Sequence, residues 1–165
     1  APSKQTETTQ RWKVRVAMAG GGDLGAKIEF SRRGSSHGWA QGTPSADLLS
    51  RYGMAPFAVQ YYHAASMAAQ KIEAMAAARR PAVRDLFDLH HLFRTVGVRP
   101  DLVRKRVGKQ ELAHALEKAA SFTFKGFRSE VLPFLTAGLI DMYGTATAFE
   151  RLRSEVTDAL RGMES

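Results

Sequence analysis

Cysteine is absent from all 165 residues. That excludes disulfides, thiolate metal sites and a cysteine nucleophile, so any bound metal must take oxygen or imidazole ligands. Long apolar runs are missing too. The stretch from Val131 to Ile140 is interrupted by Pro133 and Gly138. It and the alanine-rich run near Ala64 fall far short of the roughly 20 residues of a membrane span. No signal-peptide pattern opens the chain, and a soluble cytoplasmic protein is the expectation. Gly20 to Gly22 lack the spacing, the lysine and the hydroxyl residue of a Walker loop, and neither GxSxG nor HExxH occurs. Nothing points to a serine hydrolase or a zinc peptidase.

Acidic residues are in deficit. Against 24 Lys and Arg stand 16 Asp and Glu, a formal charge of +8. Such a surface attracts polyanions such as RNA, DNA or nucleotides, although charge alone gives neither fold nor reaction. With 44% hydrophobic and 24% charged residues, the chain is of ordinary globular composition, enough for one core or two small subdomains. The first residue is Ala, and a strand pattern follows almost at once. The chain therefore reads as starting mid-protein, although removal of an initiator methionine would leave the same residue.

Apolar and basic residues alternate from Arg11 to Met18, with Trp12, Val14, Val16 and Met18 on one face and Arg11, Lys13 and Arg15 on the other. This predicts a half-buried strand. Gly20 to Asp23 supply a turn, and Ile28 and Phe30 alternate with Lys27, Glu29 and Ser31 to complete an antiparallel hairpin. Residues 32–44 have a loop composition, a short helix or turn is expected over 46–51, and Phe57, Val59 and Tyr61 suggest one more strand. Beyond His63 the pattern is helical: an alanine-rich helix to about Arg79, then 82–96, 101–107, 109–120, 128–143 with a break near Pro133, and 145–162. Leu86, Leu89, Phe93 and Val96 form the apolar stripe of the second of these. The predicted class is α+β, with a partial sheet over 1–62 and a helical domain over 63–165.

Chemistry concentrates in KIEAMAAARRPAVRDLFDLHHL, residues 71–92. Asp85 and Asp88 are three apart on one helical face, and Arg84 lies one turn before Asp88. At about 100° per residue Asp85 falls beside Leu89 and Leu92, at the edge of the apolar stripe. A carboxylate there needs a partner, since an unpaired buried charge costs several kcal/mol. Lys71, Arg79, Arg80 and Arg84 are the candidates, and a structural ion pair competes with a catalytic role. Glu29 has the chemistry of a magnesium ligand, but one carboxylate makes no site, and a cross-strand pair with Lys13 or Arg15 is the alternative. Adjacent His90 and His91 point about 100° apart and cannot share an ion, so a structural role is expected. His37, His63 and His114 stand alone. Arg99, Arg104, Lys105, Arg106 and Lys109 either track a phosphate backbone or form a solvated face.

The strand KIEF, the helix ending KIEAMAAARR and the following RDLFDL together resemble the AbiEii-type nucleotidyltransferase toxins of bacterial toxin–antitoxin and abortive-infection systems. The resemblance implies a polymerase-beta-like core followed by helices, with magnesium and a nucleoside triphosphate bound between them. Transfer would be to an acceptor such as tRNA, and an antitoxin protein would be the partner. It also implies that Lys71, Arg79 or Arg80, and Arg84 bind the triphosphate, that Asp85 orients Lys71 or the acceptor with Asp88 completing the motif, and that Glu29 is a strand-borne metal carboxylate. Positioning and charge neutralisation are what such chemistry requires.

One departure matters: the family's Gly-Ser followed by Asp-x-Asp does not precede the hairpin, and Gly34, Ser35 and Asp47 lie after it in the wrong context. Without the Asp pair a two-ion site cannot assemble, so the chain alone is expected not to catalyse transfer. The alternatives are a non-catalytic basic module binding RNA or the antitoxin, and a homodimer formed through an exposed sheet edge.

Overall fold

The computed structural model describes residues 2–7, 9–31, 38–77 and 82–164. It divides into two compact units, Ala1–Ser36 and His37–Ser165.

The first unit is a three-stranded antiparallel sheet, β1 (Pro2–Thr6), β2 (Thr9–Ala17) and β3 (Asp23–Ser31), in the order β1-β2-β3. Trp12 pairs with Ile28, Val14 with Ala26 and Val16 with Leu24. Because side chains alternate with period two, this register places the apolar residues of both strands on one face. Gly21 and Gly22 close the turn with φ of +87° and +86°, a region open to glycine and strained for other residues. The expected half-buried strand is not found: Val14, Val16, Leu24, Ile28 and Phe30 are exposed. The unit is a single layer, so it brings no second layer of its own to cover that face. A T-shaped contact between Trp12 and Phe30, with centroids 5.4 Å apart, is part of what the face retains.

The second unit opens with a small ribbon, β4 (Trp39–Gly42) and β5 (Val59–Tyr62), paired antiparallel around α1 (Ala46–Arg51). β4 falls in the stretch expected to be loop. Helices α2 (Ala64–Ala76), α3 (Val83–Arg94), α4 (Pro100–Arg104), α5 (Lys109–Ser121), α6 (Phe124–Glu130), a 3-10 turn (Leu132–Phe134), α7 (Ala137–Tyr143) and α8 (Ala146–Arg161) complete it. This confirms the α+β class, with a hairpin first and helices after.

Helix α2 packs against α3 and α5, and α8 against α3 and α5. Alanine, the strongest helix former, is frequent in α2, whose Ala68 and Ala69 let neighbours approach closely while Ile72 and Met75 enter the core. Leu86, Leu89, Leu112, Phe127, Phe149, Leu152, Val156 and Leu160 fill the centre. Val96, assigned to the α3 stripe from its spacing, is instead exposed. The helix ends at Arg94, and Gly97 at φ +76° turns the chain away. No helix among the described residues is long and apolar enough to cross a membrane.

Candidate functional site

The hairpin of α2 and α3 brings three of the sequence candidates together. Lys71 Nζ donates to Asp85 Oδ1 at 2.9 Å and lies 2.5 Å from Asp88 Oδ2. Asp85 sits in the first turn of α3, where the partial positive charge of the helix N-terminus favours a carboxylate, and it is only 6% exposed. Asp88 follows one turn later on the same face, with a more exposed side chain. Of the two partners considered for Asp85 that lie among the described residues, Lys71 and Arg84, the lysine makes the bond.

Burial would lower the pKa of the Lys71 ammonium, but the hydrogen bonds to Asp88 and Asp85 outweigh it and hold the group above the ordinary lysine value of 10.5. Lys71 is therefore a fixed cation and not a proton donor near neutrality. An ammonium has three N–H bonds. Two are engaged by the carboxylates.

Arg84 is exposed and, among the described residues, joins no ion pair. With Asp88 it borders a cavity of about 280 Å³ that reaches Phe87, Glu130, Phe134 and Leu135. Arg79 and Arg80 lie outside the described residues. Glu29 belongs to the hairpin unit. There it pairs with Arg11, directly opposite in the register, and with Lys27 at 3.5 Å. The expected partners Lys13 and Arg15 are ruled out by register: Lys13 faces Lys27 and Arg15 faces Gly25. Hydrogen bonding from Arg11, with help from Lys27, holds the Glu29 carboxyl below its ordinary value.

One polar cluster joins His90 to partners that the sequence did not indicate. His90 Nε2 lies 3.1 Å from Glu155 Oε2 on α8, and Arg94 Nε lies 3.0 Å from the same oxygen. Tyr143 stands edge-on to the imidazole at 5.6 Å. Burial pushes the pKa of His90 below 6.5 despite Glu155, with Arg94 and Arg151 adding to the fall. A neutral ring donating its Nε2 proton to Glu155 fits this surrounding, which accords with the structural role expected of it. In the basic cluster, Arg99 forks onto Asp101 at 2.7 and 3.0 Å, and Arg104 donates to the Val107 carbonyl at 3.4 Å.

The magnesium expected from the resemblance does not fit these side chains as arranged. Among the described residues no three His, Asp or Glu side chains cluster as metal ligands. Asp85 and Asp88 are committed to Lys71, and Glu29 to Arg11 and Lys27.

These features define a basic α+β protein in which a lysine and the Arg-Asp-x-x-Asp segment of the next helix form one charged site. The family model described as nucleotidyl transferase AbiEii toxin, Type IV TA system, matches residues 1–160, and the chain belongs to this family. Membership implies a nucleotidyltransferase toxin and an antitoxin partner, and nucleotidyl transfer generally takes a nucleoside triphosphate and a divalent metal ion. Neither a curated protein nor a solved structure gives a significant match.

Proposed function

We propose that Lys71 and Arg84 hold the phosphates of a nucleoside triphosphate in a toxin that transfers a nucleotide to an acceptor such as tRNA. The observation that carries this reading is the bond from Lys71 across the helical hairpin to Asp85 and Asp88. It assembles residues from two separate motifs of the family that the chain belongs to. Asp85 acts as a positioning residue: buried and bonded to the Lys71 ammonium, it fixes where that cation stands. Asp88, nearer to solvent, is the carboxylate that yields when a phosphate oxygen approaches. Arg84, exposed on the same helix and in no ion pair among the described residues, adds a second cation, and its planar fork suits phosphate oxygens. Arg79 and Arg80 are further phosphate ligands in this reading.

Residues 1–62 then represent part of the nucleotidyltransferase core, and 63–165 the helical domain. The 165 residues contain no Asp-x-Asp pair, so the chain by itself is not expected to turn over. A second reading, a non-catalytic basic module for RNA or the antitoxin, is supported by the net charge of +8.

Calorimetric titration of a nucleoside triphosphate into the chain tests the proposal. Binding that falls about tenfold or more in Lys71→Ala and in Arg84→Ala supports it, a loss typical of a charged contact to phosphate. Binding that neither substitution alters, or no binding, sinks it and leaves the binding module.

A further inference from the structure

Phe134 is 84% exposed, the most exposed large apolar side chain among the described residues. It closes the 3-10 turn Leu132–Phe134, whose Pro133 restricts the backbone and whose amide at Phe134 donates to the Val131 carbonyl at 3.0 Å. A rigid turn thus holds the ring out of the core. Its surroundings are not a bare apolar patch. The cavity it borders, about 280 Å³, is shared with Arg84 and Asp88 of the phosphate site and with Glu130 from the end of α6.

We infer that this cavity is a nucleobase subsite, in which the base of the nucleotide held by Lys71 and Arg84 stacks on Phe134. The inference rests on the phosphate-site reading above. Three observations select a base as the occupant. A flat aromatic ring and a guanidinium are the two protein surfaces on which unstacked bases lie, and both border the cavity. The volume is just under the roughly 300 Å³ at which cavities for whole ligands begin, so it suits one part of a nucleotide. Finally, Asp88 and Glu130 outnumber Arg84 on its walls. Carboxylates accept hydrogen bonds from the N–H edges of bases. Such an edge suits the base of the nucleotide whose phosphates Lys71 holds. Asp88 both bonds Lys71 and borders the cavity, so the two places adjoin and one nucleotide can span them.

The experiment compares ATP, CTP, GTP and UTP with inorganic tripolyphosphate, titrated into the chain and into Phe134→Ala and Phe134→Trp. An exposed ring on a short turn can be replaced without unfolding the core, and circular dichroism confirms each variant. The expected result is that at least one nucleotide binds about tenfold more tightly than tripolyphosphate, the scale of one stacked base. Phe134→Ala removes that advantage and leaves tripolyphosphate affinity unchanged, while Phe134→Trp preserves it. Equal affinity for nucleotides and tripolyphosphate, or an advantage that survives Phe134→Ala, overturns the subsite and leaves the phosphate site standing. Tripolyphosphate that fails to bind at all overturns the phosphate site and the subsite with it. If Phe134→Ala weakens binding of an RNA oligonucleotide and of none of the nucleotides, the ring serves the acceptor and the inference is wrong.

Discussion

Lys71 and Asp85, fourteen residues apart on successive helices, meet at 2.9 Å, and only the aspartate is buried. This asymmetry decides what each substitution costs. Lys71→Met leaves a buried carboxylate without its cation, which destabilises by about 2–3 kcal/mol. Asp88→Asn removes a more exposed partner and costs under about 1 kcal/mol. Urea unfolding of the two variants beside the parent checks the order, and a larger loss from Asp88→Asn would contradict it.

The same pair has an alkaline signature. The pKa of folded Lys71 is raised above 10.5, so the folded state binds the proton more tightly than the unfolded chain. Its stabilisation is complete below the unfolded value and is lost as pH rises through the folded one. The gap in unfolding free energy between parent and Lys71→Met should therefore narrow as pH passes from about 9 to beyond 10.5. Charges common to both proteins cancel in the difference, which isolates this group.

How much of this was legible depended on range. The β2–β3 hairpin and helices α2, α3, α5 and α8 follow from local periodicity, because apolar residues recur with period two or 3.6. The demand of Asp85 for a cation followed from its place beside Leu89, and Lys71 was among the candidates. Pairings that no local rule encodes were not visible. Pro2–Thr6 is polar without alternation, and the strand Trp39–Gly42 gains its identity only from Val59–Tyr62. Glu29 meets Arg11 because of a register that the hairpin turn sets. Glu155 lies 65 residues from His90, and only the packing of α8 on α3 joins them.

His90 gives the opposite pH dependence. Its folded pKa is depressed below 6.5, chiefly by burial, so the unfolded chain binds the proton more readily. The stability this gives is present above about pH 6.5 and is lost as pH falls through the folded value. Glu155 does not reverse this, because burial outweighs it and Arg94 and Arg151 add to the fall. Melting temperatures at about pH 8 and about pH 5.5 should drop less in His90→Gln, which retains an N–H donor for Glu155. An unchanged drop would assign the acid sensitivity elsewhere.

Arg153 secures the end of α5 from a distance. Its Nη1 donates to the carbonyls of Ala120 and Phe122 at 3.2 and 2.9 Å, and its guanidinium lies 5.9 Å from the centroid of the Phe149 ring. Both acceptors lie at the carboxyl end of the helix, where carbonyls lack intrahelical partners. Arg153→Met keeps the apolar stem and loses the donors, for an expected cost of about 1–2 kcal/mol. Amide exchange over 118–123 should accelerate more than elsewhere in the helical unit, and uniform acceleration would count against a local cap.

Phe149 tests whether the helical unit melts as one body. Its fully buried ring packs on Phe127 with centroids 5.2 Å apart, Phe127 meets Phe87 at 5.9 Å, and Phe87 meets Tyr143 at 5.4 Å. This aromatic line joins α8, α6, α3 and α7. Phe149→Ala opens a cavity at one end of it and should cost about 3–5 kcal/mol, a large share of the roughly 5–15 kcal/mol that holds a domain folded. Phe87 also borders the cavity beneath Phe134, so nucleotide affinity should fall together with stability in Phe149→Ala. In Phe134→Ala affinity should fall alone. Thermal melts and titrations on the two variants separate the effects, and a Phe149→Ala protein that melts like the parent would show that the line does not carry the core.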